Sequence, residues 1–152
     1  MMDLNIYTDG ACRQNAPTYN NYGGWGAVLL YGEHKKEISG FAKDTTNNIM
    51  ELTAVIKALE TIKKNVPNVT IYTDSKYVCD AFNNNWLSKW QSNGWKTSNK
   101  KEVANRSLWE RLLSLTQQYN PKFVWVKGHE DNQYNVAADK LAVEEIKKNM
   151  KQ

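Results

Sequence analysis

Ile6-Tyr7-Thr8-Asp9 and Ile71-Tyr72-Thr73-Asp74 are the same four residues, met twice in a chain of 152. Each copy closes an apolar, alternating run, and each is followed by a small residue, Gly10 or Ser75. Alternation of period two is the pattern of a β-strand. Successive strand side chains point to opposite faces, so Asp9 shares a face with Tyr7, and Asp74 with Tyr72. Parallel and side by side, the two strands would deliver both carboxylates to one edge of one sheet. Neighbouring strands lie about 4.8 Å apart. Carboxylates that close repel unless a proton or a cation lies between them. The repeat therefore points to a divalent-metal site.

On either side of the repeat the chain reads as a mixed α/β domain. Residues 3–9 form the first strand, Tyr22–Leu30 the second and Lys36–Ala42 the third. The short turn Tyr31-Gly32-Glu33-His34 makes the second and third a hairpin. A helix follows, with Ile49, Leu52, Ile56, Leu59 and Ile62 at helical spacing. Asn47 or Asn48 offers its N-cap, and Val66-Pro67 its stop. Residues 68–73 lead to Asp74, and Ser75 caps a short helix carrying Val78, Ala81 and Phe82. A Trp- and Lys-rich stretch then runs from Trp86 to Lys101, broken at Gly94. Residues 103–118 read as an amphipathic helix, Lys122–Val126 as the fifth strand, Gly128–Gln133 as a loop and 135–149 as the last helix. Helices alternate with the later strands, which should therefore run parallel to the first. The opening hairpin is the antiparallel part of the sheet.

With 41% hydrophobic residues the composition is that of a folded chain. Its length suits one domain spanning 1–152. No apolar run reaches the roughly 18–20 residues of a membrane span. Met1-Met2-Asp3-Leu4 enters a strand almost at once, with no basic region and apolar stretch of a signal peptide. Two cysteines, Cys12 and Cys79, are too few for a disulfide framework. These features predict a cytoplasmic protein with free thiols. The net charge of +4 is concentrated. Lys76, Lys89, Lys96, Lys100, Lys101 and Arg106 face only Asp80 and Glu102 within that segment, and the remainder of the chain is neutral. A localised basic patch is the footprint of a phosphate-bearing partner.

Two further acids are suggestively placed. Glu51 sits in the first turn of the first long helix, at the edge of its apolar stripe. Asp139 sits near the start of the last helix, between Val136 and Leu141. Singly, each suits a helix N-terminus, and Asp9 and Asp74 suit strand-ending turns. Together the four are costly without a cation, about 4 kcal/mol per pair at 4 Å and an effective dielectric of 20. Mg²⁺ takes oxygen ligands from carboxylates and substrate phosphates. Two such ions about 4 Å apart can activate a water and stabilise a leaving oxygen in phosphodiester hydrolysis. His129, in a polar loop after the last strand, has the near-neutral pKa of a proton shuttle.

These residues carry a family resemblance. The chain resembles a type 1 ribonuclease H nearly from end to end. The match rests on Thr8-Asp9-Gly10, on Thr45-Thr46-Asn47-Asn48-Ile49-Met50-Glu51-Leu52 and on Thr73-Asp74-Ser75-Lys76-Tyr77-Val78. Gly94-Trp95-Lys96-Thr97, Trp125-Val126-Lys127-Gly128-His129 and the later Asp139 complete it. The resemblance implies a ribonuclease H-like fold: a five-stranded mixed sheet, strands 1-2-3 antiparallel and 4 and 5 parallel, flanked by helices. It implies hydrolysis of the RNA strand of RNA–DNA hybrids, giving 3′-hydroxyl and 5′-phosphate ends, with two Mg²⁺ ions that Mn²⁺ can replace. Asp9, Glu51, Asp74 and Asp139 then hold metal, and His129 assists proton transfer or product release.

The same resemblance implies a set of substrate contacts. Cys12, Asn15 and Asn48 would touch the hybrid near the active site, and Thr46 and Asn47 the DNA strand. Lys76 lies beside them. Trp86, Trp90 and Trp95, with Lys96, Lys100 and Lys101, match a basic protrusion near 86–101 that grips DNA by stacking and phosphate contacts, although Trp90 and Trp95 suit ordinary core packing as well. The neutral Gln91-Ser92-Asn93 stands where that protrusion is strongly basic in better-known members. Weaker hybrid binding is expected from it. A monomer suffices for all of this. The other readings are a non-catalytic nucleic-acid-binding module, which would gain nothing from four carboxylates, and a related DNA nuclease of the same sheet architecture.

Overall fold

The two copies of Ile-Tyr-Thr-Asp pair with each other in register. In the computed structural model, Ile6 lies opposite Ile71, Tyr7 opposite Tyr72 and Thr8 opposite Thr73, in a parallel ladder. The copies belong to β1 (Leu4–Gln14) and β4 (Val69–Thr73). The remaining elements are β2 (Asn21–Tyr31), β3 (His34–Lys43), α1 (Asn47–Glu60), α2 (Lys76–Asn83), α3 (Trp86–Ser92), α4 (Arg106–Tyr119), β5 (Lys122–Trp125) and α5 (Gln133–Met150). The structure describes residues 3–14, 21–63, 65–127 and 132–150.

One five-stranded sheet has the order β3-β2-β1-β4-β5. β1, β2 and β3 pair antiparallel, while β4 runs parallel to both β1 and β5. That is the mixed sheet the sequence predicts. The period-two pattern sorts its two faces. Leu4, Ile6, Ala27, Leu29, Val69, Ile71 and Phe123 pack with Leu52, Val55, Leu59, Val78, Trp109 and Leu112 of α1, α2 and α4. Tyr7 and Val28, on the other face, pack under Ala138 of α5. Burying a large apolar side chain contributes about 1.5–3 kcal/mol, so the first face carries most of the stabilisation. On the second face Tyr7 and Tyr72 stack with ring centroids 4.6 Å apart, a pairing that adds about 0.5–1.5 kcal/mol.

Several local expectations are corrected. Thr46, not Asn47 or Asn48, caps α1: its side chain accepts from the Ile49 N–H at 3.1 Å. The helix ends at Glu60, well before Val66-Pro67, with the Thr61 N–H bonding the Ala58 carbonyl. The 86–101 stretch contains a helix of its own, α3, and α4 begins at Arg106 rather than 103. Asp9 does not end its strand. β1 continues to Gln14 because β2 goes on pairing it, from Asp9 opposite Gly26 to Gln14 opposite Asn21. Only the β4 ladder stops, at Thr8 opposite Thr73. Ser75 caps α2 as expected, accepting from the Val78 N–H at 3.2 Å.

Candidate metal centre

Glu51 is buried, not at the edge of a stripe, because the apolar face of α1 is broad. Met50, Leu52, Ala54, Val55, Ile56, Ala58 and Leu59 are buried with it. The close approach of α1 to β1 requires Gly10. A Cβ there would lie 2.5 Å from the backbone of Met50 and Glu51. With none present, the Gly10 N–H donates to Glu51 Oε1. The Thr73 hydroxyl, at 3.4 Å, donates to Glu51 Oε2 and accepts from the Ser75 N–H at 3.1 Å. Both oxygens of Glu51 are thus held by the two strands that carry the repeat.

Asp9 is only 5% exposed and Glu51 7%. One carboxylate oxygen each from Asp9, Glu51 and Asp74 lie within 4.8 Å of one another. Asp139, from the second turn of α5, shares a hydrogen bond with Asp9. Asp9 and Glu51 are both pushed well above the usual carboxylate range. For Asp9 the causes are burial first, then the charge of Glu51, the bond to Asp139 and the charges of Asp74 and Asp139. For Glu51 burial again leads and Asp74 adds to it, against the lowering bonds from Gly10, Asp9 and Thr73. A group of acids that resists ionisation is one that a cation would relieve. The donors are all hard carboxylate oxygens, the set that divalent ions such as Mg²⁺ prefer. The residues present fit a divalent metal.

The other predicted residues fall on several elements. Cys12 is half-buried on β1, with its Sγ 3.5 Å from the Thr45 carbonyl, and burial pushes its thiol up. Thr46, Asn47 and Asn48 are exposed at the start of α1. Lys76 opens α2, and its ammonium sits 4.6 Å from the centre of the Trp125 ring. Lys96, Lys100 and Lys101 are exposed. Asn15 and His129 lie outside the described residues.

The tryptophans differ among themselves. Trp86 and Trp90 are half-buried, but Trp95 is 6% exposed and belongs to the core. Its ring lies 6.2 Å from Trp90, which in turn meets the fully buried Trp109 at 5.6 Å. Trp95 is therefore placed in the core, the packing alternative that the sequence leaves open for it. Gly10, Thr73 and Trp125 take part in the site, although the sequence reading assigns none of them a function. The repeat held a signal for Thr73, since its threonine is duplicated along with its aspartate.

Carboxylates gathered from two adjacent strands and a flanking helix, at one edge of a mixed sheet, fit a metal-dependent hydrolase of the nuclease class. The profile of the RNase H family matches residues 1–147, and the chain belongs to that family. It is 53% identical over 151 residues to a protein named Ribonuclease H from Acetivibrio thermocellus, covering 99% of each chain. It is 54% identical over 136 residues to one from Francisella philomiragia, covering 90% of this chain and 86% of that one. Among solved structures it is similar to LC9-RNase H1, described as a type 1 RNase H with the type 2 active-site motif. The TM-score there is 0.84 at 26% identity, over 97% of this chain and 74% of that one. It also matches the foamy viral protease-reverse transcriptase in complex with an RNA/DNA hybrid, with a TM-score of 0.76 at 26% identity, over 95% of this chain and 20% of that one. The chain is accordingly an enzyme, with the activity of its family: endonucleolytic hydrolysis of the RNA strand of an RNA–DNA hybrid.

Proposed function

We propose that the acidic mouth is where the hybrid is cut, with Asp9, Glu51, Asp74 and Asp139 holding two Mg²⁺ ions, which Mn²⁺ can replace. The observation that carries this is the convergence of three carboxylates within 4.8 Å, two of them buried. Bound metal supplies an activated water and a counter-charge for the leaving oxygen. The chain's own residues hold that arrangement ready. Glu51 is oriented through both of its oxygens, and Asp9 is fixed between Glu51 and Asp139. His129 moves a proton to or from the reacting oxygens, or eases product release. The products carry 3′-hydroxyl and 5′-phosphate ends.

Substrate is held on both sides of the mouth. The first turn of α1 offers unpaired backbone N–H groups and the positive end of its dipole to a phosphate, with Thr46, Asn47 and Asn48 exposed around it. Thr46 Oγ accepts from Ile49, which leaves its own proton to donate outward. Cys12, Asn15 and Asn48 contact the hybrid near the active site, where RNA and DNA differ by the 2′-hydroxyl. Lys76, Lys96, Lys100 and Lys101 meet phosphates of the DNA strand. Trp86 and Trp90 offer their half-buried rings for stacking, and Trp95 supports them from within. The chain works in the cytoplasm as a single catalytic domain and a monomer. No helix among the described residues is long and apolar enough to cross a membrane. Both cysteines are free.

The test is cleavage of an end-labelled RNA–DNA hybrid with Mg²⁺, with Mn²⁺ and with chelator, beside double-stranded RNA and duplex DNA. Metal-dependent cutting confined to the hybrid's RNA strand is expected. Equal cutting of duplex DNA would favour a DNA nuclease, and binding without cutting a non-catalytic module.

A further inference from the structure

The strand ladder fails where the site most needs support. Pairing of β4 with β5 ends at Thr73 opposite Trp125, one residue short of Asp74. Beyond a ladder the backbone is no longer fixed by strand pairing. Both ends of the next peptide unit are nevertheless held. The Ser75 N–H donates to Thr73 Oγ1 at 3.1 Å. The Asp74 carbonyl accepts from the indole N–H of Trp125 at 3.0 Å. The plane that follows Asp74 is thereby pinned from two sides, by groups that do not ionise. The Val126 N–H, donating to the Thr73 carbonyl at 2.9 Å, keeps the end of β5 against β4.

Trp125 is an unusual choice for a purely structural part. It is 40% exposed at the end of an edge strand, so burial of its ring explains little of its presence. The face of that ring carries the Lys76 ammonium at 4.6 Å, within the range of a cation–π contact. One side chain thus joins the backbone of a candidate metal ligand to the first basic residue of α2.

We propose that Trp125 is a positioning residue for the metal centre. Its indole N–H replaces the missing ladder bond and holds Asp74 in ligating geometry, while its ring aims Lys76 along the mouth. The inference rests on the reading of Asp74 as a metal ligand. Trp125→Phe keeps a ring for Lys76 and removes only the N–H. Mn²⁺ binding measured by calorimetry should weaken about tenfold, and kcat should fall about as much, with KM changed less than twofold. Lys76→Gln, which leaves the indole bond intact, should instead raise KM and leave Mn²⁺ affinity within twofold. A merely structural role would lower the melting temperature of Trp125→Phe without changing the Mn²⁺ affinity of the folded protein. That result, or parental Mn²⁺ affinity and kcat in Trp125→Phe, overturns the proposal. Asp74→Asn separates the two levels of the argument. If it loses Mn²⁺ binding and cleavage while Trp125→Phe keeps both, the positioning role alone fails. If Asp74→Asn keeps its Mn²⁺ affinity, the metal-site reading fails with it.

Discussion

The acidic mouth and the basic protrusion are built on opposite plans. The mouth is set in the sheet, with Asp9 and Glu51 buried and each oxygen of Glu51 held by a strand residue. The protrusion is made of short pieces. Asn85, Gly94, Trp95, Lys100 and Asn105 all take positive φ between Asn85 and Asn105. That segment is fastened by local bonds, such as Asn93 Nδ2 to the Lys96 carbonyl at 3.0 Å and the Trp95 N–H to the Trp90 carbonyl at 2.6 Å. Its lysines are exposed, while Trp90 roots it on Trp109. Chemistry that depends on metal position tolerates little slack, whereas charge neutralisation along a phosphate backbone tolerates much. The mouth should therefore respond to single atoms, and the protrusion only to charge.

Asp9→Asn should break the mouth most completely. Hydrolysis of labelled hybrid should fall by about 10³-fold or more, beyond the loss typical of one electrostatic contact. The same change removes a buried, repelled carboxylate, so the metal-free variant should melt higher. A chain of this size gains about 2–4 °C per kcal/mol. Persistent Mg²⁺-dependent cleavage by this variant would remove the basis for the whole site. Gly10→Ala should come next. Its Cβ collides with the α1 backbone, so both thermal stability and Mn²⁺ affinity should drop, the second because Glu51 is displaced. Unchanged Mn²⁺ affinity would show that α1 can shift without disturbing the acids.

The protrusion should behave otherwise. Lys100→Ala with Lys101→Ala should raise KM and flatten the dependence of binding on salt by about one unit of slope per lysine. Its kcat should stay within about twofold. A collapse of kcat would mean that the protrusion shapes the mouth as well as holding substrate.

A pH series sharpens the contrast further. Asp9 and Glu51 have folded pKa values raised above their unfolded ones, so the metal-free folded state holds protons that the unfolded state gives up. This favours the fold below about pH 4, where both states are protonated, and is lost as pH rises from there toward the raised values. In chelator, the stability gap between Asp9→Asn and the parent should be wider at pH 8 than at pH 5, as read by urea unfolding. A gap independent of pH would refute the burial of ionisable charge. The smallest effect belongs to Thr46→Ala, which removes the cap of α1 and should cost about 1 kcal/mol, measured as a lower melting temperature. Wild-type stability in that variant would show that Asn47 or Asn48 can take over the cap.

Much of this was legible in one dimension. The strand repeat foretold a shared edge for two strands lying side by side and parallel, because a period of two is set by local backbone geometry, while their register came only with the fold. The Ser75 cap was legible for the same local reason. Glu51 was legible as a residue but not as a buried one. Its burial depends on how closely α1 approaches β1, and that is decided by Gly10, forty-one positions away. Trp95 could be read two ways. Tryptophans interleaved with lysines suit a surface for bases or a core, and only three-dimensional packing against Trp90 put this one inside. The end of α1 was misjudged because Pro67 is an obvious stop, while the helix had already closed at Thr61.

By itself the sequence determined every strand and all the helices but α3, the mixed sheet, the four acids as candidates and the place of the excess charge. These follow from side-chain periodicity and composition, which are local properties. Only the tertiary structure decided that β1 runs on past Asp9 while β4 stops at Thr73, that both oxygens of Glu51 are clasped, and that an indole N–H completes the support of Asp74. Those are contacts between segments tens of residues apart. They exist because packing both faces of the sheet leaves the strands and helices one common arrangement.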